Sequence, residues 1–476
     1  MRRTGSTARV VLALLALLAW LLPASAGPSP RVPESQLVAA ADVASYRIEA
    51  RLDPAAKTVE GTGRITYRNP SEDTLDELWV RLYLRAFSST DTLWMRESGA
   101  AHRGLVSDEA NLGDITLHKL ALADGADILA STTVTDTLLR VPLPGPLGPG
   151  QSIDLDVGWT SKLPRVFART GFGGRDDTFF MVGQWYPKMA VYDRGRWDTE
   201  PWHANAEFFH DFGSYDVRIT APREYVVAAT GVPAGRYEEA DGAETHRFTA
   251  RSVTDFAFAA SPDFRVHEGK AGYVDVALYL LPEHEELLGE YMSSATGSLT
   301  AFSNWFGAYP HERFTVVDVP DNASGAGGME YPMLVTGGGA GLPTNAGGIA
   351  MVVAHETAHQ WWPMQTATHE GREPWLDEGL TEYSGIRYLI EAGRRIGIGP
   401  ASVGPADLDR TQYAVSRNQP ANLPAWEYGD SAYGAAVYAK PSLGLLTLEN
   451  VVGTEPFRRA MAGYLEAYRW KHPTAA

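Results

Sequence analysis

Apolar residues recur at every second position through much of the first half of this chain. Tyr46, Ile48, Ala50 and Leu52 share one side of YRIEARLD, and Leu78, Val80, Leu82 and Leu84 do the same in LDELWVRLYL. The pattern returns at Ile153, Leu155, Val157 and Trp159 in IDLDVGW and at Tyr215, Val217 and Ile219 in YDVRIT. A period of two predicts half-buried strands, and the Gly, Pro and Asp residues between the runs supply turns. The reading is an antiparallel β domain over residues 45–262. Beyond PDFRV the period changes. Leu288, Met292, Ala295, Leu299, Phe302 and Trp305 step by three and four through HEELLGEYMSSATGSLTAFSNWFG, as one face of a helix does. A strand-like FTVVDV and the glycine-rich TGGGAGLPTNAGG follow, then IAMVVAHETAHQWW, and helical patterns dominate to the end. The fold class expected is therefore α+β and multidomain, with a mainly helical second domain over residues 263–476. A chain of 476 residues is long enough for this, and no internal repeat interrupts it.

The first residues obey a different logic. Arg2, Arg3 and Arg9 precede an unbroken apolar run from Val10 to Leu22, and Ala24-Ser25-Ala26 gives a small-x-small cleavage pattern. That run is shorter than the roughly 20 residues a membrane-crossing helix needs. Residues 1–26 thus read as a signal peptide and residues 27–44 as a linker. The mature chain is expected to have no transmembrane segment and to be exported, to the periplasm or outside the cell.

Composition narrows the chemistry. A formal charge of −17 with no long Lys/Arg run leaves no footprint for nucleic acid. There is no cysteine, so no thiolate nucleophile exists and any metal must be held by His, Asp and Glu.

VVAHETAHQWW provides such a set. On a helix, residues four apart project from one face, so His355 and His359 can offer two imidazoles to one ion, with Glu356 on an adjacent side. A short pattern of this kind also arises by accident, and a third ligand is the test. Glu378, in GREPWLDEGLTEY, follows His359 with eighteen residues between them, on a stretch where Trp375, Leu376, Leu380 and Tyr383 have helical spacing. Two imidazoles and a carboxylate suit one Zn²⁺ per chain with a position left open for water. Glu356 is then the base that takes a proton from water and passes it to a leaving amine. Asp377 and Glu382 are competing carboxylates, and Glu382 could instead orient a histidine.

H-E-x-x-H, eighteen residues and then the glutamate of WLDEGLTEY closely resembles the gluzincin aminopeptidases, the zinc metallopeptidase family of aminopeptidase N and leukotriene hydrolase. GGMEYP, Gly327 to Pro332, stands where that family has G-x-M-E-N. The resemblance implies that Gly327, Gly328 and Met329 pair with the substrate backbone and that Glu330 binds its free α-amino group. VYAKP matches the family's Y-x-K-G and implies that Tyr438 stabilises the oxyanion. Gln184, in MVGQWYPK, matches a glutamine that helps bind the amine. The physics of the residues agrees. An exopeptidase needs a buried anion to receive a cationic N-terminus, and a Gly-Gly pair lets a peptide backbone approach closely.

The resemblance runs from about Tyr46 to His472. It implies a saddle-like N-terminal β domain and a thermolysin-like catalytic domain acting on peptides with a free N-terminus. Tyr331, Asp377 and Pro441 depart from the family pattern, standing for asparagine, asparagine and glycine. KHPTAA stops where the family continues into a C-terminal helical domain, so the expectation is either a short, open-cleft member or a fragment. The alternatives are an endopeptidase or epoxide hydrolase on the same zinc site, or an inactive peptide-binding member.

Overall fold

The computed structural model describes residues 39–338, 345–398, 401–416 and 418–475. The expected signal peptide, and the linker up to residue 38, lie outside the described residues. Seven strands form the largest sheet: β1 (Ala44–Asp53), β2 (Thr58–Arg68), β3 (Asp114–Leu122), β4 (Ser152–Lys162), β5 (Gly213–Pro222), β6 (Val232–Glu238) and β7 (Ala243–Val253), in the spatial order β6-β7-β5-β1-β2-β4-β3. Burial follows the alternation in the sequence. Ala44, Tyr46, Ile48, Ala50 and Leu52 are buried in β1, and their neighbours face outward.

Two features differ from the sequence reading. The sheet is not wholly antiparallel, because β1 runs parallel to β5, with Tyr46 opposite Tyr215, Ile48 opposite Val217 and Ala50 opposite Ile219. Alternation records which face of a strand is buried and carries no information on the direction of its neighbour, whereas this register stacks the apolar faces of both strands on one core. In LDELWVRLYL the strand stops at Arg81, and Tyr83–Phe87 form a 3₁₀ turn in which Leu84 is still buried. A turn with three residues per repeat can bury residues 82 and 84 as a strand would, so periodicity alone does not separate the two.

Two further four-stranded sheets pack against the first. Between the sheets lies one apolar core drawn mainly from residues 44–264, with Trp94, Trp159 and Trp185 essentially fully buried. A second core begins with a four-stranded sheet of β8 (Arg265–Ala271), β9 (Val274–Leu280), β10 (Arg313–Val317) and β11 (Leu334–Thr336). β9, β10 and β11 run parallel, and the helix Leu288–Phe306 supplies the crossover that a parallel β9/β10 pair requires. Only β10 was legible as a strand, within FTVVDV. Among the described residues, no helix is long and apolar enough to cross a membrane.

Two helices of this second core matter most. The histidine helix, Ala346–Ala358, is capped by Asn345, whose side chain accepts from Gly348 N at 3.0 Å, and it is apolar on nearly every side because it is buried within the domain. The glutamate helix, Glu378–Glu391, crosses it closely. A Cβ on Gly385 would stand 3.3 Å from His355 N, and one on Gly379 would stand 2.6 Å from the ring of Pro441. The absent side chain at Gly385 sets the distance between these two helices, and the one at Gly379 makes room for Pro441 on the helix Lys440–Val452. Gly379→Ala is expected to lower the unfolding free energy by about 1–3 kcal/mol through overpacking, in spite of alanine's better helix propensity, as measured by urea denaturation.

Candidate active site

His355 lies on the last turn of the histidine helix, and His359 caps its end. Their Nε2 atoms are 3.2 Å apart, and Glu378 Oε2, from the first residue of the glutamate helix, is 3.1 Å from His355 Nε2 and 3.3 Å from His359 Nε2. A tetrahedral ion with bonds of about 2.0–2.1 Å has ligand atoms about 3.3–3.4 Å apart, so the three donors already stand at the edges of such a site.

The far side of each imidazole fixes its tautomer. His355 Nδ1 is 2.6 Å from Glu382 Oε2, and His359 Nδ1 is 2.8 Å from the carbonyl of Trp362 and 2.7 Å from Asp377 Oδ1. Carboxylates and carbonyls only accept, so Nδ1 carries the proton and Nε2 presents a lone pair. Glu382 thus sits on a histidine, and Asp377 lies behind His359 rather than beside the ligand atoms. Burial alone would lower the histidine pKa values, but hydrogen bonds to Glu378 and Glu382 push His355 up to about 10. Asp377 and Glu378 raise His359 against its own burial. Burial would raise Glu378, yet the two histidines hold it well below the usual carboxylate range. An environment that grips a proton so strongly at two imidazoles fits a divalent cation there.

Glu356 is buried beside the pair. Its Oε2 has no hydrogen-bond partner among the described residues, and its pKa is raised by burial, an effect the histidines oppose. Tyr438 reaches in from the opposite side, donating its hydroxyl to Glu378 Oε1, with its ring stacked 5.8 Å from that of His355. It occupies a π-helical turn, Gly434–Ala439, just before Pro441. Proline has no N–H, so the carbonyl of Val437 loses its normal partner at residue 441, and the widened turn accommodates that loss.

The segment Gly327–Glu330 runs along the outer edge of β11. Gly328 has φ 65°, and its N–H donates to Thr336 O at 3.1 Å, while Met329 accepts from Thr336 N at 2.9 Å. Gly327 N donates to Ser324 O at 3.1 Å, closing the turn before it. Glu330 follows, buried, with a carboxylate oxygen within 4.8 Å of donors from both Glu356 and His359.

Two residues beside Glu330 went unnoticed in the sequence. Carboxylate oxygens of Glu207 and Glu370 lie within 4.8 Å of its own, forming a buried acidic trio. Arg169 is ion-paired to Glu207, its Nη1 is 3.3 Å from Met329 Sδ, and Glu370 accepts from Phe208 N at 2.7 Å. Burial and the charge of Glu207 raise the pKa of Glu330 well above its ordinary value. The one signal for Glu207 was its place in AEFFHDFG, an acidic residue inside an aromatic run. Gln184 is buried with φ 57°, and both ends of its amide are taken. Nε2 donates to Asp255 Oδ2 at 2.7 Å, and Lys188 Nζ donates to Oε1 at 3.1 Å. Asp255 in turn lines the small cavity that Glu330, Tyr331 and Glu370 also line.

With this geometry in place, residues 291–475 match the model of the peptidase family M1 domain. The matched stretch takes in His355, Glu356, His359, Glu378 and Tyr438. The chain is similar to human glutamyl aminopeptidase, 25% identical over 293 residues, or 54% of this chain and 28% of that protein. Rabbit aminopeptidase N is 23% identical over 283 residues, 54% of this chain and 29% of that protein. The chain thus spans under a third of the length of these curated relatives. Among solved structures, the M1 zinc metallopeptidase from Deinococcus radiodurans superposes with a TM-score of 0.60 at 18% identity, covering 92% of this chain and 90% of that one. A mutant of it bound to a Tyr-Ser-Ala substrate gives 0.59 at 18% identity, covering 91% and 88%. At that identity the likeness establishes the fold, that of a two-domain M1 metallopeptidase.

Because Glu382 fixes the ring that presents His355 Nε2, Glu382→Gln should weaken zinc retention by about 10–100-fold, read by competition against a chelating dye.

Proposed function

We propose that this chain is a zinc-dependent aminopeptidase of the M1 family that hydrolyses the N-terminal residue from peptides, with one Zn²⁺ held by His355, His359 and Glu378. The observation that carries this reading is the buried trio Glu330, Glu207 and Glu370 immediately beside the metal-ligating set. Three carboxyl groups share one ion-paired arginine there, so the cluster can carry its full negative charge only when a further cation joins it. The α-ammonium of a peptide supplies the missing cation, whereas an endopeptidase would present neutral amides to the same place. Burial and, after it, the like-charged neighbours raise Glu330, and an arriving ammonium relieves the repulsion.

Zinc at this set supplies Lewis acidity toward the scissile carbonyl and toward water. The protein's own groups do the rest. Glu330 and its neighbours hold the amine, and the edge formed by Gly327, Gly328 and Met329 takes the substrate backbone as an added strand. Glu356 takes a proton from the attacking water and delivers it to the leaving amine. Tyr438 donates to the oxyanion. Its pKa is raised well above the ordinary value by burial and by Glu378, so the phenol keeps the proton it must offer. Gln184 acts from behind, holding Asp255 in the wall of the amine site.

A panel of unblocked aminoacyl p-nitroanilides with matching N-acetylated ones tests the reading. The unblocked set alone should turn over. Glu356→Gln should lower kcat by about 10²–10⁴ and Tyr438→Phe by about 10²–10³, while Glu330→Gln lowers kcat/KM by about 10–100-fold. Cleavage of the acetylated set at equal rate would instead mark an endopeptidase.

We also propose that the chain is exported, on the strength of the basic start, the apolar run Val10–Leu22 and the Ala24-Ser25-Ala26 site. N-terminal sequencing of the protein made in a secreting bacterial host should begin at Gly27, and retention of Met1 would contradict it.

A further inference from the structure

The β domain sends one cation into the cleft that the proposed mechanism does not use. Ala101–His102 and Leu105–Val106 pair as a hairpin whose two-residue loop is Arg103-Gly104. The hairpin is seated close to the catalytic strand. Leu105 Cδ1 would stand 2.9 Å from a Cβ on Gly325, in the turn Asp321–Ala326 that leads directly into Gly327–Glu330. From its tip the guanidinium of Arg103 reaches Gly328. A Cβ built there would be 3.8 Å from Arg103 Nη1 and 3.6 Å from Glu356 Oε1, so cation and base flank the same glycine. Among the described residues, Arg103 makes no ion pair or hydrogen bond.

The backbone gives a second, independent pointer. Both loop residues have positive φ, 48° at Arg103 and 86° at Gly104, as a type I′ turn requires. Asparagine is the residue such a turn favours at its first central position, and an arginine there is held against its own conformational preference. A residue kept in a sparsely populated conformation while its side chain reaches a reactive site is explained by what that side chain does.

Its place along the substrate follows from the reading above, on which this inference rests. The amine is bound at Glu330, and Glu356 delivers a proton to the leaving group, so the flank of Glu356 is the leaving-group side. Gly328 is two residues along the edge from Glu330, about 7 Å in extended chain, which is where the second residue of the substrate lies. We propose that Arg103 is a specificity residue that binds a carboxylate on the second residue of the substrate, either the C-terminal carboxylate of a dipeptide or an acidic side chain. A planar guanidinium that spends no N–H on a hydrogen bond within the protein, though it lies in the field of Tyr438, Glu207 and Glu378, binds such a group through paired N–H donors, and a second residue that is neutral leaves those donors unused. The enzyme is then selective for dipeptides and for peptides acidic at their second position.

The test uses the full mature chain with zinc and X as the best first residue of the anilide panel. X-Gly is compared with X-Gly-amide, and X-Asp-Gly-amide with X-Asn-Gly-amide. Wild type should favour the charged member of at least one pair by tenfold or more in kcat/KM, mostly through KM. The first pair reads a terminal carboxylate and the second a side chain. Arg103→Asn suits the turn better than arginine does, so its melting temperature should equal or exceed that of wild type while the charged-to-neutral ratio falls toward one. Arg103→Lys should keep part of the ratio. A ratio near one in wild type, a ratio unchanged by Arg103→Asn, or equal loss on charged and neutral peptides would each overturn the inference while leaving the aminopeptidase reading intact. No turnover of any unblocked substrate by wild type would overturn both.

Discussion

A buried cleft that holds more carboxyl groups than cations is the constraint around which this molecule is organised. Glu207, Glu330, Glu356, Glu370, Asp377 and Glu378 are all buried, and among the described residues Arg169 is the one buried arginine ion-paired into the group. Taking a carboxylate out of water costs several kcal/mol unless a cation or several donors replace the solvent. Glu378 finds two histidines and a tyrosine hydroxyl, Asp377 finds His359, and Glu207 finds Arg169. Glu330, Glu356 and Glu370 have less, and their pKa values are raised accordingly. On the proposed function, a divalent metal on one side of the cleft and a substrate ammonium on the other would meet the remaining imbalance, and stability and recognition would then have the same electrostatic origin.

That constraint also explains the division of labour between the two cores. The helical core holds the ligands, because two helices crossing over Gly385 keep Nε2 and carboxylate oxygens at 3.1–3.3 Å with little freedom. The β half contributes Arg169 and Glu207 to the amine site and Arg103 to its mouth. Groups from the metal-binding half alone would leave the acidic trio incomplete. Recognition of the substrate therefore depends on how the two halves meet, and the chemistry on the fit within one of them.

Legibility in the sequence tracked the range of each constraint. His355, Glu356 and His359 were readable because their geometry is set within a single turn of helix. Glu378 was readable because the eighteen intervening residues are few enough for one return of the chain. Arg169 and Glu207 lie over 120 positions from Glu330, and no local period encodes a meeting at that separation. The same holds for the parallel pairing of β1 with β5, where alternation gave the buried face and nothing gave the direction. Gln184 falls between these cases. Its neighbourhood was anticipated, but its amide is bonded to Asp255 and Lys188 within the β half, a pairing spread across residues 184–255.

Pro441 shows how a departure from the family pattern can be absorbed locally. Where the resemblance leads one to expect glycine after Lys440, a proline ring fills the space over Gly379, directly after the ligand Glu378. The ring removes an N–H from the helix, and the turn before it widens into the π geometry that carries Tyr438. Tyr438 then meets Glu378 Oε1, the oxygen that does not face the histidines. Packing at Gly379, backbone geometry at residues 434–439 and the aim of the phenol are thus one coupled arrangement. A change at either Gly379 or Pro441 reaches the tyrosine through the backbone, without touching the metal ligands themselves.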